Sequence, residues 1–142
     1  MNTFRLGNLS YGLSFLHVLF QYRPVNVQLK VDEKNFSFLN VWFIAIANTP
    51  SYGGGIKICP EACYDDGLFD ICIVHDLPKW ELLRTFPKAF VGKHVLHPGV
   101  TMIRGKQVDV ASDCPIIVQG DGELLAKTPI QVTIERDALR II

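Results

Sequence analysis

The chain has 142 residues, 49% hydrophobic, 11% aromatic and 20% charged, with 14 Lys+Arg balanced by 14 Asp+Glu. That is one globular domain's length, able to bury about two thirds of its unfolded surface, and too apolar to be disordered. A zero formal charge supplies no overall field for a nucleic-acid backbone, so nucleic acid is not an expected partner. The longest apolar run, Val41 to Ala47, falls far short of the ~20 residues of a spanning helix, and no signal-peptide pattern is visible; the expectation is a soluble, cytoplasmic chain. Cys59, Cys63, Cys72 and Cys114 form no C-x-x-C pair, which suits reduced thiols.

In chain order, Leu9, Leu13, Leu16 and Phe20 recur at helical spacing, and Pro24 ends that helix. The period then changes to two. Val25, Val27, Leu29 and Val31 alternate with Asn26, Gln28 and Lys30, which predicts a half-buried strand. Asp32 to Asn35 reads as a polar turn and Phe36 to Ala47 as a second strand, so the two form a hairpin. Asn48 to Gly55 is a loop ending in a glycine triplet, followed by a short strand at Ile56 to Ile58. Pro60 to Gly67 is an acidic turn leading into a strand at Leu68 to Val74. Trp80, Leu83 and Phe90 fit helical spacing interrupted by Pro87, which predicts two short helices. Strands follow at Gln107 to Ala111, Pro115 to Gln119, Glu123 to Leu125, Ile130 to Glu135 and Leu139 to Ile142. The absence of a βαβ rhythm favours a mostly β fold, an antiparallel β-sandwich with two or three short helices, over residues 1-142 as a single domain.

Three places carry candidate chemistry. Asp65, Asp66 and Asp70 with Glu61 offer oxygen ligands for a hard cation such as Mg²⁺, although their spacing is not that of an EF-hand and a solvated turn would look the same. Glu123, after the Asp121-Gly122 turn and before two leucines, is either a desolvated general base or an exposed hairpin carboxylate. Gly53, Gly54 and Gly55 lack the surroundings of an NTPase phosphate loop, and read as a turn or as bare backbone open to a ligand. His94 and His97 with Cys59 and Cys63 suggest zinc only in principle, since neither pair has zinc-knuckle context.

Taken together, Asn48-x-x-x-x-Gly53-Gly54-Gly55, Cys59-Pro60-Glu61-Ala62, Asp65-Asp66-Gly67-Leu68-Phe69-Asp70, Gly92-Lys93-His94 and Asp121-Gly122-Glu123 closely resemble the C-terminal domain of bacterial-type lipid kinases of the diacylglycerol kinase and sphingosine kinase superfamily. The resemblance spans essentially the whole chain. It implies a two-domain enzyme whose N-terminal α/β domain, carrying a Gly-Gly-Asp-Gly-Thr motif, binds ATP; only the second, β-sandwich domain is matched here. It also implies Glu123 as proton acceptor, a Mg²⁺ held by Asp66 with the backbone carbonyls of Cys63 and Leu68, and Asn48 with the glycine triplet facing the interdomain cleft. The implied partners are a lipid substrate at the membrane surface, met peripherally, and the nucleotide-binding domain in cis or in trans, with a homodimer as a further expectation. Isolated from that domain, the chain is expected to be inactive. The alternatives are a stand-alone, non-catalytic sandwich that binds lipid or protein, and a zinc-stabilised module.

Overall fold

In the computed structural model the described residues are 23–50, 56–63, 65–120 and 123–133, with side chains described throughout except at 117–126. Eight strands appear among them: β1 (Val25–Val31), β2 (Lys34–Ala47), β3 (Phe69–His75), β4 (Val100–Gly105), β5 (Gln107–Ser112), β6 (Ile117–Gly120), β7 (Glu123–Lys127) and β8 (Ile130–Thr133). One α-helix, α1 (Lys79–Thr85), and two 3₁₀ turns, Phe86–Phe90 and Lys93–Leu96, fill the connection from β3 to β4. Six strands form one sheet in the order β4-β3-β2-β1-β5-β8, every neighbouring pair antiparallel, while β6 and β7 form a separate two-stranded ladder. The expected mostly antiparallel β architecture with short helices is the one observed.

The period-two stretch behaves as its alternation requires: Val27, Leu29 and Val31 are buried and Asn26, Gln28 and Lys30 exposed. Asp32 closes the β1–β2 hairpin with φ 54°. Its Oδ1 accepts hydrogen bonds from Lys106 N at 3.1 Å and Gln107 N at 3.0 Å, which ties this turn to the β4–β5 turn.

Strand β2 serves two partners, pairing with β1 in its first part and β3 in its second. Its register slips once between the Phe38 and Val41 pairings with β1, and again between the Val41 and Phe43 pairings with β3. Phe36, Phe38, Val41, Ile44 and Ile46 consequently all reach one apolar cluster, with Val27, Leu29, Ile71, Ile73, Val108 and Val110. Trp42, Phe43, Ala45 and Ala47 face the other cluster, together with Cys72, Val74, Ile58, Leu82 and Ala89. The first cluster is built from side chains of the six-stranded sheet with Ile116; the second is roofed by the β3–β4 connection.

That connection contains the short helices expected, and packing sets which side of them faces inward. Trp80 is exposed, and the inward set is Leu82, Thr85, Phe86, Ala89 and Phe90, with spacings of three and four. The α-helix ends at Thr85 because Pro87 lacks an N–H and its ring would strike the carbonyl of Leu83, so the chain continues as a 3₁₀ turn. Two differences from expectation concern strands. Ile56 to Ile58 is reduced to a single bridge at Ile56, and Val100–Gly105, which the alternation rule does not pick out, is a full partner of β3. The expected helix at Leu9 to Tyr22 and strand at Leu139 to Ile142 lie outside the described residues.

Candidate functional site

The acidic turn lies at one end of the large sheet, where Ala47, Asp70 and Arg104 sit side by side on β2, β3 and β4. Asp70 is 2% exposed. A carboxylate so deeply placed needs a counter-charge, and Arg104, directly opposite in register, supplies it: Nε lies 3.2 Å from Oδ1 and donates to Oδ2 at 3.3 Å. The Arg104 Nη2 group then reaches the carbonyl of Glu61 at 3.1 Å and its carboxylate at 3.5 Å. This hydrogen bond to Asp70, with its charge, raises the guanidinium pKa further above its usual value, so the arginine is permanently cationic. Of the four carboxylates considered as cation ligands, Asp70 and Glu61 are therefore engaged by Arg104, leaving Asp65 and Asp66 exposed.

Asp66 folds back on its own turn, its Oδ1 accepting a hydrogen bond from Leu68 N at 2.9 Å. Gly67 between them has φ +70°, the left-handed conformation that this tight reversal uses. The Asp66 carboxylate and the Leu68 backbone thus belong to one small loop, and Cys63 is exposed on its approach. A carboxylate with two carbonyl oxygens is a hard donor set suited to Mg²⁺, which also keeps several waters. Asp66 is exposed and Leu68 lies two residues on in the same turn; among the described residues no group of three His, Cys, Asp or Glu side chains is arranged to hold a metal by side chains alone. Asn48 follows Ala47, the residue opposite Asp70, and its buried Oδ1 has no donor among the described residues. Gly53, Gly54 and Gly55 lie outside those residues. Glu123 opens β7, opposite Gly120 on the separate ladder, and its side chain is not among those described.

Other sequence motifs prove to be the supports of this turn. Cys59 is fully buried and its Sγ donates to the Asp70 carbonyl at 3.5 Å. Burial, and then the Asp70 charge, push its thiol up to about 12, so it is no thiolate. Burial first and Cys59 second raise Cys72 as well. His94 is 3% exposed, and its Nε2 must carry the proton because it donates to the Ile58 carbonyl at 2.8 Å. Desolvation lowers its pKa and keeps it neutral. Gly92, at φ +75°, lies so close to Pro60 that a Cβ there would be 3.1 Å from the proline ring, and Lys57 N donates to the Ala89 carbonyl at 2.9 Å. The Gly92-Lys93-His94 and Cys59-Pro60-Glu61-Ala62 motifs are therefore one packed unit, joined through Cys59 to Asp70. The cysteines and histidines raised as zinc ligands are divided: Cys59 and His94 satisfy backbone carbonyls, His97 Nε2 lies 3.4 Å from Glu81, and Cys63 faces solvent.

Arg104 was not singled out by motif. The signal that could have found it is the five-residue run Val100-Thr101-Met102-Ile103-Arg104 between Gly99 and Gly105, whose strand character puts an arginine opposite a carboxylate.

Comparison with known proteins agrees over the full length. A family described as the YegS C-terminal NAD kinase beta sandwich-like domain matches residues 1–142. A diacylglycerol kinase of Mycobacterium tuberculosis (strain ATCC 25618 / H37Rv) is 34% identical over 137 residues, 96% of this chain and 44% of its own length. A diacylglycerol kinase of Bacillus subtilis (strain 168) is 29% identical over 118 residues, 83% of this chain and 39% of its own length. A crystal structure of a diacylglycerol kinase from Bacillus anthracis str. Sterne shares the fold, with a TM-score of 0.62 at 18% identity, covering 83% of this chain and 42% of that one. The chain thus spans less than half the length of the relatives it matches.

Proposed function

Since the chain belongs to the family of YegS C-terminal NAD kinase beta sandwich-like domains, we propose that it is the lipid-binding, base-supplying part of an ATP-dependent kinase that phosphorylates a diacylglycerol-like lipid hydroxyl. The observation that carries this reading is the acidic turn, in which Asp66 accepts a hydrogen bond from Leu68 N and the chain passes directly into β3, where buried Asp70 is paired with Arg104. Its relatives named diacylglycerol kinase supply the reaction class.

In this reading the lipid hydroxyl oxygen attacks the γ-phosphorus of ATP. The new O–P bond forms as the bond between that phosphorus and the β–γ bridging oxygen breaks, ADP leaves, and the hydroxyl proton passes to Glu123. Phosphoryl transfer depends mostly on positioning and on offsetting charge spread over the phosphate oxygens. Mg²⁺, when bound, would supply that offset, and Asp66 with the carbonyls of Cys63 and Leu68 would hold it. Asn48 and Gly53 to Gly55 are the residues assigned to the phosphates in this reading, and a nucleotide-binding domain, in cis or in trans, holds most of ATP. The work is done peripherally, at the cytoplasmic surface of a membrane. No helix among the described residues is long and apolar enough to cross a membrane.

The test is phosphate transfer from ATP to diacylglycerol in detergent micelles by a complete two-domain protein carrying this chain. Glu123→Gln is expected to lower kcat by ~10²- to 10⁴-fold, the usual contribution of a general base, with the thermal melting curve unchanged. Retained turnover removes Glu123 from the mechanism. The 142-residue chain by itself is expected to transfer no phosphate.

A further inference from the structure

The β3–β4 connection has a second face that the acidic turn does not use. Its inward positions, Leu82, Thr85, Phe86, Ala89 and Phe90, leave Trp80, Arg84, Lys88 and Val91 on the opposite side, all exposed. Of the four large hydrophobic side chains exposed among the described residues, three belong to this connection: Trp80 at 61%, Val91 at 63% and Leu96 at 81%. Gly92, in its left-handed conformation, lets the second 3₁₀ turn fold back against the first, and His97 Nε2, one residue after Leu96, lies 3.4 Å from Glu81, one residue after Trp80.

The charges on the same stretch are one-sided. Between residues 79 and 97 the basic residues are Lys79, Arg84, Lys88 and Lys93, and the sole acid is Glu81. Glu81 faces His97 at 3.4 Å. Arg84, Lys88 and Lys93 make no ion pair with a described residue. In a chain of zero net charge, this cationic stretch carrying a tryptophan and two aliphatic side chains in water is a local concentration of both kinds.

We infer that the segment Lys79 to Leu96 is the face by which this chain docks on an anionic lipid bilayer. Trp80, Val91 and Leu96 enter the boundary between headgroups and acyl chains, while Arg84, Lys88 and Lys93 meet the lipid phosphates. Apolar anchors ringed by Lys and Arg are the composition of interfacial membrane contacts, and tryptophan is enriched at that depth. The inference rests on the reading of the chain as part of a lipid-directed enzyme, but it needs neither ATP nor turnover.

The test is co-sedimentation of the chain with vesicles of phosphatidylcholine and phosphatidylglycerol, beside vesicles of phosphatidylcholine alone, with no diacylglycerol or nucleotide present. Binding is expected to the anionic vesicles and to weaken as salt is raised. Each basic side chain near such a surface contributes about fivefold in affinity, so Lys88→Gln with Lys93→Gln should reduce binding about 25-fold. Lys30→Gln with Lys34→Gln, exposed on the β1–β2 hairpin, should leave it unchanged. Lipids spin-labelled near the top of the acyl chain should quench tryptophan emission in the wild type and much less in Trp80→Phe. Equal binding by the two lysine pairs, or quenching that survives Trp80→Phe, overturns the proposal. So does a dimer in sedimentation velocity that Leu96→Ser abolishes, because a second copy would then be the occupant. Kinase activity in micelles is read separately: its loss in Glu123→Gln with vesicle binding intact leaves docking standing. Absent vesicle binding with micellar turnover intact overturns docking alone.

Discussion

The acidic turn and the β3–β4 connection handle charge in opposite ways. At the turn, Asp70 is driven into the protein and answered by Arg104, and Asp66 is occupied by its own backbone. On the connection, hydrogen bonds anchor the main chain, through Trp42 Nε1 to the Leu77 carbonyl at 2.8 Å and His94 to Ile58, while Arg84, Lys88 and Lys93 stay in solvent. Inward charge fixes geometry, at the cost of desolvation that a partner must offset. Outward charge fixes nothing locally, and remains available to a field outside the molecule. One chain of zero net charge therefore contains an acidic site whose buried carboxylate is paired and a basic surface whose charges face solvent.

The contrast can be broken first at Asp70. Asp70→Asn keeps shape but removes the charge that Arg104 answers, and should lower unfolding free energy by about 1.5–3 kcal/mol, toward the lower end because solvent reaches the arginine. Urea unfolding with an unchanged slope measures it; an unaltered midpoint would mean the pair contributes nothing net.

The next effect belongs to the closure of the connection. A Cβ on Gly99 would stand 2.4 Å from Leu77 Cδ2 and 2.8 Å from the His75 carbonyl oxygen. The backbone atom cannot swing aside, so Gly99→Ala should cost about 1–3 kcal/mol. Wild-type stability in that variant would show that the β3–β4 junction is slacker than these distances require.

A smaller, pH-dependent effect separates the two regions at His94. Burial depresses its folded pKa below the ordinary value near 6.5, so the unfolded chain takes up a proton before the native one does. Its contribution is therefore complete above pH ~6.5 and declines as pH falls toward the folded value. His94→Gln keeps a donor for Ile58 and should flatten that part of the stability profile between pH 7.5 and 5.5. An identical slope in both proteins would exclude His94 as its source.

The smallest effect is expected on the outward face. Leu96→Ser should change stability by no more than about 0.5 kcal/mol, since the side chain is 81% exposed. A larger loss by calorimetry would mean that the face is structural.

These contrasts also explain what was legible in the amino-acid sequence. The β1–β2 hairpin was, because Val27, Leu29 and Val31 bury one side and leave the other wet, as a period of two demands. Strand β4 was not: its Thr101, Met102 and Ile103 are all half-buried, so no alternation marks it, and Arg104 was missed with it. The helical spacing of Trp80, Leu83 and Phe90 marked the helix but not its buried face, since Pro87 and the 3₁₀ turn place Leu82, Phe86 and Ala89 inside and leave Trp80 exposed. The acidic turn was recognised as a motif, but which carboxylates were already engaged depends on Arg104, 34 residues from Asp70 and adjacent only through strand pairing.

The two register slips in β2 have an arithmetic of their own. Each slip inverts the parity of the strand, so that together they restore it, and Ile44 and Ile46 rejoin the side occupied by Phe36 and Phe38. Removing one residue between Phe38 and Ile44 would leave a single inversion, pressing both isoleucines into the space shaped for Ala45 and Ala47. Length changes in this stretch can therefore be inherited only in compensating pairs, so this strand resists the single-residue insertions and deletions that a surface loop accepts.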